Sequence, residues 1–295
     1  MGFSNFILPA VLGGARIVLD RFDARRCLEF IASERVTHGF LAGSMLDGIL
    51  RVDGHEGFDL SSLKLVETAY HLSERLRSAI AERFGTIVRW CYGSTEGTNW
   101  AAPAEAFMAR ADCVGLPKGL DEFRIVDADG LTLGPGHVGE VVVGGPTVMS
   151  GYFGDPEGTA AVLDDGWLRT GDLGELAPDG MMLFRGRKKD MIKTGGINVA
   201  AGDVEVALEC HPAVGDVAVI GVPDQHWGEA VIAVVVPNER DGCDDELIAE
   251  LRTHCRSRLA AFKCPKRYVL VDVLPRNPAG KVAKGVLRDL YGAEL

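Results

Sequence analysis

Four short clusters carry the side chains best suited to chemistry. The first is Cys91-Tyr92-Gly93-Ser94-Thr95-Glu96-Gly97, which follows an apolar run, at the kind of strand end where α/β sheets hold their ligands. Tyr92 offers a ring to stack on a flat group, and Thr95 a hydroxyl for an anionic oxygen. Glu96 offers a carboxylate to a magnesium ion, which takes only one or two of them. A structural turn explains a tyrosine among glycines equally well. The second cluster, residues 166–172, reads as an Arg-Thr-Gly-Asp turn that pins Asp172 between glycines. A carboxylate held there can accept both hydrogen bonds of a vicinal diol such as a ribose, or can simply cap a helix or a turn. The third, Gly186-Arg187-Lys188-Lys189-Asp190, is either a solvated linker or a place where the planar fork of Arg187 meets a ribose or phosphate. The fourth, Asn277-Pro278-Ala279-Gly280-Lys281, puts one lysine on an irregular loop. That is an ordinary surface lysine, or a cation brought to a phosphoryl or acyl transition state when a site closes.

The elements that must position these clusters fall into three textures. Over the first ninety residues, strand-like runs at 15–19, 63–67 and 86–91 alternate with helix-like runs at 24–34, 44–50 and 72–84, the mark of β-α units on a parallel sheet. Leu72, Leu76, Ile80 and Phe84 make a stripe at helical spacing that faces a core. From Glu122 the chain changes to short β runs punctuated by Asp129-Gly130 and Asp179-Gly180. Such dipeptides supply the positive φ of tight hairpins, so this part reads as antiparallel β with a short helix at 156–163. Beyond the charged run, helices at 203–210, 244–259 and 284–290 and strands at 216–222, 230–237 and 267–273 make a small α+β unit. The expected architecture is α/β: a large part at 1–188, α/β to 110 and mainly antiparallel over 111–188, then a small domain at 189–295.

Composition excludes several function classes. The chain has 295 residues, 47% hydrophobic and 25% charged, and a net charge of −11. That balance disfavours nonspecific binding to nucleic acid or anionic membrane, both of which need a basic face. No apolar run approaches the ~18 residues of a membrane span, and the opening Met-Gly-Phe-Ser-Asn-Phe lacks a basic signal-peptide region. Seven cysteines without a C-x-x-C pair indicate neither a disulfide framework nor a zinc site, so the expected setting is the reducing cytoplasm. The expected partner is a small molecule or another protein.

In this order and spacing the chain resembles the adenylate-forming superfamily of acyl-CoA synthetases, adenylation domains and luciferases. The segments VGLPKGLDEFRIVDADG, PGHVGEVVVGGPTVMSGYF, DGWLRTGDLG, GRKKDMIKTGG, HPAVGDVAVIGVPD and VLPRNPAGKVAKGVLR carry it, and it extends over essentially the whole chain. The resemblance implies that a carboxylic acid and ATP give an acyl-adenylate and pyrophosphate, after which a thiol, usually of coenzyme A, takes the acyl group. It implies Tyr92 and Gly93 beside adenine, Thr95 on the α-phosphate and Glu96 as Mg²⁺ ligand. Asp172 and Arg187 become the ribose ligands of ATP/AMP, Lys281 the catalytic lysine, Lys189 the hinge, and Gly195 and Gly196 the lining of the thiol channel. The chain departs from the family in having Glu67-Thr68-Ala69-Tyr70-His71 for a Gly-Gly-Ala-Pro-like segment, and Ala201-Gly202-Asp203-Val204-Glu205 for Pro-x-Glu-Val-Glu. The family's phosphate-cradling loop and its acyl-pocket His segment are not found, which implies a C-terminal portion of a ligase. Losing the leading β-α units would expose a sheet edge, for a partner chain or an oligomer to cover. A noncatalytic nucleotide- or protein-binding remnant, and an adenylation domain serving a carrier protein, are the alternatives.

Overall fold

Val217 to Val222 and Ala230 to Val236 form almost unbroken apolar runs, and a strand can carry such a run only if both faces of its sheet are covered. The computed structural model, which describes residues 14, 21–68, 72, 74–97, 99–117, 119–238, 243–277 and 282–292, arranges the chain in two units. The first contains the residues through Thr170 together with Gly174–Phe184; the second contains Gly171–Leu173 and Arg185–Leu295.

In the first unit, β1 (His38–Phe40), β2 (Leu65–Thr68) and β3 (Val88–Gly93) run parallel, and β4 (Asn99–Ala101) pairs antiparallel with β3. The helix Ala24–Ser33 starts where the Asp23 carboxylate accepts from the Arg26 N–H at 2.8 Å, supplying one of the donors that a helix start leaves unpaired. It buries Cys27, Leu28 and Ile31. The helix Glu74–Phe84 buries Ile80 and Phe84 in the same core as Leu72, with Leu76 packed at its margin, so the expected stripe faces inward. The strand expected at 15–19 lies outside the described residues.

The second sheet has the order β5 (Cys113–Gly115), β10 (Met182–Arg187), β9 (Trp167–Leu176), β7 (Val138–Gly144), β6 (Glu122–Val126), with β8 (Leu163–Asp164) paired to β9. Its turns follow from local chemistry: Asp127 Oδ1 accepts from the N–H groups of Asp129 and Leu131, with Gly130 at φ +83°. Asp179 and Gly180 (φ +82°) close the turn between β9 and β10. One expectation is corrected here. Arg169 to Asp172 is not a turn but the middle of β9, which has neighbours on both sides and carries Gly171 at φ +69° within the strand. Hydrogen-bonded neighbours outweigh the two glycines that suggested a turn.

In the second unit, β11 (Met191–Thr194) and β12 (Ile197–Ala200) form a hairpin, and β13 (Val214–Asp224) and β14 (Gly228–Pro237) pair antiparallel from Asp216↔Val236 to Asp224↔Gly228. β15 (Arg267–Leu270) pairs parallel with β14. Both faces are covered as the apolar runs require. Val217, Val219, Val231, Ala233 and Val235 pack with Val204 and Leu208 of the helix Ala201–Glu209 and Leu251 and Cys255 of the helix Asp244–Arg258. Ala218, Ile220, Ile232 and Val234 pack with Leu274 and with Leu287 of the helix Lys284–Tyr291. The sheets mix parallel and antiparallel strands, and the fold is α/β.

Candidate functional site

The first-unit cluster grows out of β3. Alternation along the strand turns Tyr92 inward, where it is 6% exposed with its ring centroid 5.0 Å from that of Trp100 and 6.2 Å from that of Phe184. Gly93 ends the strand opposite Asn99, and the chain then turns outward through an exposed Thr95. Glu96 sits on this turn, held by its backbone and by its side chain. Its carbonyl accepts from the Met149 N–H at 2.7 Å, and its Oε1 accepts from the Tyr152 hydroxyl at 3.0 Å. Partial burial alone would raise the Glu96 pKa, but hydrogen bonds from its own backbone N–H, from Tyr152, from Ser94 and from Thr95 together hold it below the usual carboxylate value. Gly97, at φ +143°, completes the turn: a β-carbon there would stand 2.7 Å from Val148 Cα.

An ionised, partly exposed carboxylate fits what a magnesium ion asks of a protein, since that ion is usually held by one or two carboxylates, by waters and by substrate phosphates. Among the described residues no group of three or more His, Cys, Asp or Glu can hold a metal, and such an ion requires none.

In the second unit, Asp172 on β9 and Arg187 at the end of β10 meet, with Arg187 Nε 3.1 Å from Asp172 Oδ1. Asp172 is 8% exposed, whereas the arginine side chain is 45% exposed. The pair thus joins a fixed acceptor to a guanidinium partly open to solvent. Lys189 is exposed on the short 3₁₀ turn Lys188–Asp190, which is tied down by Arg288 donating to Asp190 at 3.0 Å. Gly195 (φ +57°) and Gly196 (φ +78°) make the two-residue turn of the β11–β12 hairpin, a turn type that needs positive φ at both positions. The Gly195 N–H donates to the Trp227 carbonyl at 2.7 Å.

Lys281 lies outside the described residues, as do 278–280 and 69–71. The flanks of the lysine loop are described: Arg276 bridges to Val282 and ion-pairs with Asp216, while Lys284 Nζ lies 2.8 Å from Glu205. Sequence reasoning missed Tyr152. It stands 56 residues from Glu96, and the only local signal is its place between two glycines ahead of the Asp155-Pro156 helix start. In the segment that departs from the family, Glu67 is engaged by Arg89 at 2.6 Å and Thr68 is fully buried.

Residues 1–153 match the family model described as AMP-binding enzyme, and residues 203–281 match that of the AMP-binding enzyme C-terminal domain. The chain belongs to the AMP-binding enzyme family. It is 39% identical over 294 residues to an indoleacetate–CoA ligase of Aromatoleum aromaticum, covering 98% of this chain and 57% of that protein. It is 38% identical over 296 residues to the medium/long-chain-fatty-acid–CoA ligase FadD8 of Mycobacterium tuberculosis, covering 96% and 51%. Among solved structures, ATP-bound MatB from Rhodopseudomonas palustris superposes with a TM-score of 0.90 at 30% identity, over 99% of this chain and 57% of that one. The chain therefore spans little more than half the length of the relatives it matches.

Proposed function

We propose that this chain carries the nucleotide-handling and small-domain part of an acid–thiol ligase that joins a carboxylic acid to coenzyme A through an acyl-adenylate. The observation that carries the reading is the Asp172–Arg187 pair, a buried carboxylate beside a half-exposed guanidinium. That donor and acceptor set suits the diol of the AMP ribose. Magnesium, when bound, offsets phosphate charge; Glu96 is its ligand, Thr95 faces the α-phosphate, and Tyr92 and Gly93 border the adenine. Lys281 supplies the cation of the adenylation step. The proposed domain limits are 1–188 and 189–295, with Lys189 as hinge and the Gly195–Gly196 turn beside the thiol.

The names of the relatives, an indoleacetate ligase and a medium/long-chain-fatty-acid ligase, support an organic monocarboxylic acid as substrate, with a fatty acid as one candidate. The cysteines are free, which accords with a reducing, cytoplasmic setting. Among the described residues no helix is long and apolar enough to cross a membrane.

Incubating the chain with ATP, magnesium, coenzyme A and a panel of indole, aryl and fatty acids should release pyrophosphate with at least one acid. Lys281→Ala should abolish that release; no release with any acid, or equal release from the variant, contradicts the reading. Lys189→Pro fixes φ at the hinge and should stop thioester formation while sparing pyrophosphate release. Equal loss of both half-reactions would sink the hinge assignment.

A further inference from the structure

We propose that Tyr152 is a positioning residue for Glu96: its hydroxyl holds one carboxylate oxygen so that the other is presented to the magnesium ion of a bound nucleotide. The proposal rests on the reading of Glu96 given above and extends it to a residue without an assigned role.

The support for Tyr152 starts at a helix cap. Asp155 caps the helix Pro156–Val162 by accepting from the Gly158 N–H at 2.8 Å. Thr159 of that helix donates its hydroxyl to the Asp155 carbonyl at 2.7 Å and accepts the Tyr152 N–H at 2.9 Å. Gly151, at φ +148°, lies against the same threonine, where a β-carbon would stand 2.9 Å from Thr159 Cγ2. The backbone around Tyr152 is therefore fixed to a helix start before the phenol reaches Glu96 Oε1 at 3.0 Å. The same segment also grips the backbone of Glu96, through the Met149 N–H at 2.7 Å, and abuts Gly97 through Val148.

Two features separate this from ordinary packing. Tyr152 is 39% exposed and the neighbouring Phe153 stands fully in solvent, so the phenol is not there to fill a core. Its hydroxyl instead donates to one oxygen of the Glu96 carboxylate, as groups behind a metal ligand commonly do to fix its rotamer.

The test is the binding of a fluorescent ATP analogue to the purified chain as MgCl₂ is titrated, for wild type, Tyr152→Phe, Glu96→Gln and the double variant. Tyr152→Phe keeps the ring and loses only the hydroxyl. It should raise the magnesium concentration at half-effect about tenfold, leave the magnesium-free affinity unchanged, and add nothing in the Glu96→Gln background. A merely structural tyrosine would move the magnesium-free affinity as well. If Glu96→Gln removes the magnesium dependence while Tyr152→Phe leaves it intact, the proposal is overturned and the Glu96 assignment stands. If neither substitution changes it, the metal-site reading falls and takes the proposal with it. Should Tyr152→Phe lower the melting temperature, Thr159→Val, which removes the hydroxyl that accepts the Tyr152 N–H, must shift the magnesium dependence in the same direction; no shift overturns the proposal.

Discussion

Glu96 in the first unit and Glu209 in the second are both carboxylates, and the fold treats them in opposite ways. Glu96 is met by donors, from the turn it sits on and from Tyr152, and its pKa falls. Glu209 closes the helix Ala201–Glu209 with Oε2 buried. Burial first, then the charges of Glu205 and Asp216, push its pKa up to about 8, at a helix end that itself disfavours negative charge. Its neighbours are already engaged, Glu205 by Lys284 and the Val219 N–H, Asp216 by Arg276. Glu96 is thereby held as an anion that can take a cation, whereas Glu209 is held as an acid. Residue type does not separate an ionised carboxylate from a protonated structural acid; the donors around it do.

The contrast can be broken first at Gly97. A methyl group at φ +143° and 2.7 Å from Val148 Cα forces the Glu96 turn away from its support. Gly97→Ala should therefore cost about 3 kcal/mol by urea denaturation. A cost under about 1 kcal/mol would mean that the turn is not held as described.

The second unit gives an effect with a definite sign. Because the folded-state pKa of Glu209 lies above the ordinary 4.5, the folded chain keeps a proton that the unfolded chain releases. The stability from protonated Glu209 is complete below about pH 4.5 and declines as the pH rises towards about 8. Glu209→Gln should remove that decline, whose slope inside the window is up to about 1.4 kcal/mol per pH unit. Parallel pH profiles for wild type and variant would erase the contrast with Glu96.

How much of this was legible in the sequence differs by level. The stripe from Leu72 to Phe84 and the apolar runs of β13 and β14 are local patterns set by burial, and they fold as read. The Asp-Gly turns are equally local, because positive φ is a property of the residue itself. The segment at Thr170-Gly171-Asp172 misled because its two flanking glycines signal a turn, while its strand identity comes from β7 and β10, distant in sequence. The motif residues around Glu96 could be named in advance. Their support could not, since Tyr152 reaches Glu96 across 56 residues and through a helix cap that gives no sign of its target.

The central claim is that this chain recognises the ribose of an adenine nucleotide through Asp172 and Arg187, and titration calorimetry with AMP tests it most directly. The account predicts that wild type binds one AMP and that Asp172→Ala weakens binding at least about tenfold, the loss of a charge-assisted hydrogen bond to the diol. Because the Arg187 side chain is nearly half exposed and can be solvated without its partner, the variant should stay folded, within about 1 kcal/mol of wild type. A wild-type chain that binds no AMP, or an Asp172→Ala chain that binds it as tightly as wild type, would contradict the account.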